Sequence, residues 1–317
     1  MTGPITDPGI YDMADADYQG DPCETPSLRS STAWLLHDRT PAHAWYSCSR
    51  LNPDYKPENK RFFDIGKAAH TLLLGRGSDY AIVHEDSYRK RDAKDMREQI
   101  IAAGKTPLLE KDALQVRAMA KAATRQIQDM IDAGTIASSP FDAAKSEQVI
   151  IWRDHGVLCR AMLDGLSIEE DAISEYKTEG TSAAPNEWQY RARKLGYIFR
   201  LAFYRRGLEA LKIAYSPTIR VFVQEKEPPY LLAMYRIDDE LIARADEQVV
   251  ASIKLWRRCL ETNKWPGYSN EGYDISLLDR ERAQEAQAAP QAEHMGSEDI
   301  AAGVSKATPL AAMRVKR

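Results

Sequence analysis

The feature that most restricts the fold of this 317-residue chain is an abrupt change of rhythm at Glu147. Before it, apolar residues recur at helical spacing. After it come short β-rich runs, EQVIIW, VLCRAML and DAISEYK. Arg153-Asp154-His155-Gly156, between the first two, is turn-like, which predicts consecutive antiparallel strands. A helical stretch over about Asn186 to Ile213 follows, then PTIRVFVQEK and PYLLAMYRI as further strands and EQVVASIKLWRRCLETN as a closing helix. The sum predicts an α+β domain of the three-layer α/β type, with one central mixed β-sheet flanked by helices.

In the front half, SSTAWLLHD predicts a short helix opened by Ser30 or Ser31. DIGKAAHTLLLG predicts a second, capped by Asp64 and stopped at Gly75, with Ile65, Ala69, Leu72 and Leu73 as its core face. Residues 89 to 134 predict helices separated near Thr106-Pro107. Residues 1–26 are rich in Pro, Gly and Asp without periodicity and predict an irregular arm, so the folded domain is expected over 27–278. From 279 to 317 the composition favours Ala, Gln and Glu, and this tail is expected to be mostly disordered.

Several function classes are excluded at this level. A net charge of -4 argues against a protein that coats nucleic acid through bulk positive charge, although basic residues need line only a groove. Cys23, Cys48, Cys159 and Cys259 lack CxxC spacing and read as free thiols in a reducing compartment. No apolar run is long enough to span a membrane, and the acidic N-terminus is unlike a signal peptide, so a cytoplasmic location is expected. GxxxxGK[ST] is missing, which argues against an ATP-driven motor.

The chemistry concentrates around the third run. Strand side chains alternate, so Glu175 and Lys177 share a face, and Asp164 at the end of the second strand can sit beside them. Two carboxylates and the backbone carbonyl of Tyr176 offer the hard oxygen ligands that Mg²⁺ prefers. Lys177 then stands where it could orient or deprotonate a water, or stabilise charge on a phosphoryl group.

MLDG followed by SEYKT resembles the signature of PD-(D/E)XK nucleases. The wider order GKAAHTLLLG, Glu147 in SEQVIIW, CRAMLDGL, SEYKT and GYIFRLAFYRRG is similar to the RecE-like exonuclease VIII nuclease domain. With GIYDMADADY, PSLRSSTAWLL and TPAHAW, the resemblance runs from about Gly9 to about Gly207. It implies a Mg²⁺-dependent exodeoxyribonuclease, with Mn²⁺ able to substitute, that degrades one strand of linear duplex DNA from the 5′ end. It further implies a phage or prophage origin, duplex DNA ends as substrate, a single-strand annealing protein as partner and a homo-oligomeric ring. Carried over residue by residue, Asp164 and Glu175 become the principal metal ligands and Lys177 the catalytic lysine. Glu147 becomes an additional acidic residue, and His70 the histidine of a GxxxH helix, with Gly66 permitting close approach.

Bland readings stand beside these. Glu147 could pair with Arg160 on the neighbouring strand, and His70 could be a satisfied core or capping residue. Arg193, Tyr197, Arg200 and Tyr204 fall on one helical stripe, so Tyr197, Arg200 and Tyr204 are candidate DNA contacts. The resembled family has glutamine where this chain has Arg200. Arg89-Lys90-Arg91 and Arg257-Arg258 are either groove-lining or plain solvated surface. A related endonuclease or repair nuclease, or a catalytically silent DNA-binding protein, are the alternative functions.

Overall fold

The computed structural model describes residues 3–56, 61–144, 146–214 and 216–272. Order begins well before Ser27. Strand β1 (Gly9–Tyr11) pairs antiparallel with residues 149–151, and helix α1 (Asp15–Gln19) follows. Strand β2 (Leu28–Arg29) then lies parallel to Cys159 and Arg160. The expected irregular arm over 1–26 is thereby corrected. Its anchor is Asp21, whose buried carboxylate accepts from Ser27 N (2.8 Å) and Ser27 Oγ (2.7 Å) and faces Arg160 Nη1 at 3.3 Å. Arg160 Nε also donates to the carbonyl of Tyr18, 142 residues away in sequence. A segment held by such distant partners carries no local periodicity, which is why it reads as irregular. Removing one member of a buried, hydrogen-bonded ion pair strands the other charge. Arg160→Ala is therefore expected to destabilise the fold by about 3–5 kcal/mol, measured by urea unfolding.

Helix α2 (Ser30–Asp38) forms as expected, but without a serine cap, because Arg29 occupies the cap position in extended conformation. Helix α3 (Pro41–Tyr46) starts on a proline, whose fixed φ suits a first helical position. A short 3₁₀ turn, Arg61–Phe63, leads into α4 (Asp64–Leu74). Asp64 does not cap α4; its carboxylate lies in the first turn and accepts from Arg97 at 2.8 Å. The core face of α4 is also turned from the expected one: Ala68, Ala69 and Leu74 are buried, while Leu72 is exposed. Strand β3 (Tyr80–Val83), helix α5 (Arg91–Ala102), strand β4 (Thr106–Leu109) and helix α6 (Glu110–Asp132) complete the front half. The break expected at Thr106-Pro107 is thus a strand, parallel to β3.

Strands β5 (Gln148–Asp154) and β6 (Val157–Leu163) form the expected hairpin around His155-Gly156. Strand β7 (Gly165–Ser167) is a short addition that pairs antiparallel with β8 (Ala172–Glu179). The third expected run therefore pairs with β7 rather than with β6. Helices α7 (Pro185–Lys194) and α8 (Tyr197–Ala210), strands β9 (Thr218–Glu225) and β10 (Leu232–Arg236) and helix α9 (Asp239–Thr262) follow. The helical stretch from Asn186 is broken at Gly196, which has φ 71 and lies so close to Trp34 that a Cβ would fall 2.3 Å from the indole. Only glycine fits both constraints.

The architecture is α+β with mixed sheets. The expected central sheet is present as two four-stranded sheets, ordered β1-β5-β6-β2 and β10-β9-β8-β7, that meet where β6 gives way to β7 at Asp164. β8 and β9 run parallel, so their odd-numbered and even-numbered residues face opposite ways. Ile173, Ile219, Val221 and Val223 join one core with α8 and α9, whereas Tyr176 and Phe222 join a second with α4 and α6. These helix, sheet and helix layers fix the direction of Glu175 and Lys177, which point to the α8 side. All of these elements lie in one unit that ends at Tyr268. No helix among the described residues is long and apolar enough to cross a membrane. The four cysteines are free thiols. The expected tail over 279–317 lies outside the described residues.

Candidate active site

Asp164 sits at the junction of the two sheets because β6 ends one residue before it and β7 begins one residue after. The backbone N–H of Tyr176 donates to its Oδ2 at 2.8 Å, which ties the junction to β8. In an extended strand the N–H and C=O of one residue point to the same side, so the Tyr176 carbonyl is directed toward Asp164 as well. Its phenol faces the opposite core and donates to Gln224 Oε1 at 2.5 Å, while Gln224 Nε2 donates to the Met119 carbonyl at 2.9 Å. Gln224, missed in the sequence, thereby locks β8 and β9 to α6.

His70 reaches the junction from α4. Its Nε2 lies 3.0 Å from Asp164 Oδ1 and its Nδ1 3.7 Å from Glu147 Oε1. Gly66, one turn earlier, brings α4 against β8, since a Cβ there would fall 2.9 Å from Thr178 Oγ1. Glu147 precedes β5 rather than lying on it, with φ 53, and faces His70. The alternative Glu147 to Arg160 pair does not form, because Arg160 faces Asp21. Lys177 Nζ is 2.5 Å from Glu175 Oε1 and 3.9 Å from Asp164 Oδ2. The structure thus brings together His70, Glu147, Asp164, Glu175 and Lys177.

The charges in this cluster condition one another. Burial would raise the Asp164 carboxyl, but the charges of His70 and Lys177 and the hydrogen bonds from His70 and Tyr176 N–H bring it down to about 2. Glu175 is pushed up by burial and by the Asp164 charge. Burial disfavours the Lys177 ammonium, yet Glu175 and Asp164 overcome this and hold it protonated. In this state Lys177 donates a hydrogen bond to Glu175. His70 is pulled down by burial but lifted further by Asp164, so its net shift is upward. A raised folded-state value means that this stabilisation is fully present below the ordinary pKa of 6.5 and is lost as pH rises through the folded value. In chelator, the stability difference between wild type and His70→Gln is expected to be larger at about pH 6 than at about pH 9, read by urea titration.

The carboxylates suit a hard divalent cation. Glu175 Oε2 is buried without a hydrogen-bond partner, an expensive condition that a cation would relieve. With Lys177 among them, the side chains do not yet enclose an ion: among the described residues no group of three or more His, Cys, Asp or Glu has that geometry. The Lys177 ammonium lies between Glu175 and Asp164.

Around this cluster the expected DNA stripe divides. Gly196 separates Arg193, on α7, from the residues of α8. Tyr204 is buried, with its hydroxyl 3.5 Å from Ser30 Oγ, so the expected DNA contact there is corrected: the ring belongs to the core behind Glu175 and Lys177. Tyr197 is half-buried, with Lys177 Nζ 5.8 Å and the Arg200 guanidinium 5.7 Å from its ring centre. The basic runs form local surface pairs, Lys90 with Glu85, Arg91 with Asp95 and Arg257 with Glu261.

Residues 30–274 match the family described as PDDEXK-like domain of unknown function (DUF3799). The chain belongs to this PDDEXK-like family. No curated protein matches the chain in sequence. A solved structure of a candidate exonuclease from Eubacterium rectale is similar over 88% of this chain and 99% of its own, with a TM-score of 0.54 and 10% identity. At that identity the likeness shows a shared fold. A phage related exonuclease from Haemophilus somnus 129PT aligns over 75% of this chain and 96% of its own, at 11% identity and a TM-score of 0.32.

Proposed function

We propose that this PDDEXK-like protein is a Mg²⁺-dependent exodeoxyribonuclease that hydrolyses phosphodiester bonds of linear duplex DNA. The observation that carries the reading is the convergence of His70, Glu147, Asp164, Glu175 and Lys177 on one junction, with Glu175 Oε2 left buried and unpartnered. Asp164, Glu175 and the Tyr176 carbonyl would hold the ion, with Glu147 and His70 beside them. Bound there, a divalent cation supplies Lewis acidity toward the phosphoryl group and a more acidic water. Within the chain, His70 and the Tyr176 N–H keep Asp164 ionised and oriented. Lys177, held protonated, stabilises charge that accumulates on the phosphoryl oxygens.

Action from the 5′ end, a 3′ single-stranded product, a role in phage-type recombination with an annealing protein and a ring-shaped oligomer are supported by the sequence resemblance to the RecE-like domain. The candidate exonuclease that shares the fold is consistent with action at ends. The test is to incubate the protein with Mg²⁺ and either linear duplex labelled at one end or closed circular DNA. The exonuclease reading expects linear duplex to be consumed from its 5′ ends while circles persist. Cut circles would replace it with an endonuclease.

A further inference from the structure

We propose that Arg200 takes a non-bridging oxygen of the scissile phosphate, and that Tyr197 is the plate that sets its distance from Lys177. This role rests on the nuclease reading above and adds the group that grips the substrate's charge.

Helix α8 carries Arg200, Arg205 and Arg206, and they are treated differently by the fold. Arg205 is clamped by Glu209 (2.8 Å) and Asp239 (2.6 Å). Arg206 is clamped by Asp154 and by Asp246 (2.8 Å). Arg200 is half-buried, yet among the described residues it forms no ion pair, and its Nε is buried without a hydrogen-bond partner. A buried N–H left without a partner is costly, and native structures seldom keep one without a reason. Its neighbour is the Tyr197 ring, 5.7 Å away, whose negative face attracts a cation.

The same ring is 5.8 Å from Lys177 Nζ, so one aromatic plate borders two cations. Their situations differ. The Lys177 charge is answered by Glu175 at 2.5 Å and Asp164 at 3.9 Å, whereas among the described residues the Arg200 charge is answered by no carboxylate within ion-pair distance. The cluster therefore lacks an anion on the Arg200 side. A phosphodiester brought up to Glu175 and Lys177 supplies it, and the planar fork of arginine matches two phosphate oxygens better than an ammonium does. Position is fixed by the fold: α8 begins just after Gly196, which lies against Trp34, and buries Phe199 and Leu201 on either side of Arg200.

The test is a binding cycle between residue and linkage. Duplex oligonucleotides carrying a single neutral methylphosphonate at successive linkages are bound, with Ca²⁺ replacing Mg²⁺, by wild type, Arg200→Gln and Arg200→Lys. The linkage that each wild-type reaction cuts is mapped in Mg²⁺ on the unmodified duplex. Wild type is expected to lose about tenfold in affinity when the linkage it cuts is neutralised, since that removes a charge-assisted hydrogen bond. Arg200→Gln is expected to bind the unmodified duplex about tenfold more weakly and to show a smaller further loss than wild type on the neutralised one, the part that Lys177 and the cation still contribute. Arg200→Lys is expected to recover part of the difference. Equal penalties in wild type and Arg200→Gln, with matching thermal melts, would overturn the role of Arg200. Coupling confined to another linkage would overturn the scissile assignment. Wild-type protein that neither binds nor cuts DNA would instead remove the nuclease reading on which the role depends.

Discussion

Asp164→Asn is expected to weaken divalent-cation binding and DNA cleavage together. The side chain is where the cluster's contacts meet: His70 Nε2 lies 3.0 Å from one oxygen, while Tyr176 N–H donates to the other at 2.8 Å. Asparagine keeps the shape and one carbonyl acceptor, so the junction between the sheets is expected to persist. The charge goes, however, and with it a hard anionic ligand. Even the loss of a group that only orients a metal ligand costs about 10–100-fold, so the loss in cation affinity is expected to be at least about 100-fold. Removal of preorganised charge from the site is expected to lower the single-turnover cleavage rate by about 10³-fold or more. Calorimetry with Mn²⁺ and single-turnover cleavage check the two halves separately. Wild-type cation affinity in the variant would remove Asp164 from the ligand set.

Lys177→Ala is expected to separate these two properties. Cleavage should fall by about 10³-fold, as for loss of a group that acts directly on the reacting phosphate. Cation binding should be retained or strengthened, because the ammonium now 2.5 Å from Glu175 Oε1 competes for the carboxylate that the ion would use. Opposite movements of rate and cation affinity distinguish a group acting on the substrate from one that merely supports the ligands. An alanine variant that cleaves at the wild-type rate would contradict the role given to Lys177.

Legibility in the sequence followed locality. The hairpin of β5 and β6 was readable because β-branched runs flank a turn inside a short window. The helix from Asp64 was readable from spacing that ends at Gly75. Asp164, Glu175 and Lys177 were readable because alternation along one strand and one short connection bring them together. What escaped depends on distant partners. β1 and Asp21 are held by strands and an arginine more than a hundred residues away, so the segment lacks internal rhythm. Likewise, the Arg97 guanidinium draws Asp64 away from capping, and the small side chains of Ala68 and Ala69 turn the buried face of α4. Tyr204 matched a surface stripe by spacing alone, but α8 is buried on nearly every side, so helical position did not indicate exposure. β7 is only three residues long and gave no pattern to read, yet it is what separates β6 from β8 and leaves Asp164 at the junction.

The most direct test of the central claim, that this junction is a metal-dependent nuclease centre, is a divalent-cation titration of DNA cleavage. Purified wild-type protein is mixed with end-labelled linear duplex, first in excess chelator and then with increasing Mg²⁺ or Mn²⁺. The proposed function expects no cleavage in chelator and cleavage that rises and saturates as the cation is restored. Cleavage undiminished in chelator, or none with either cation, would contradict it.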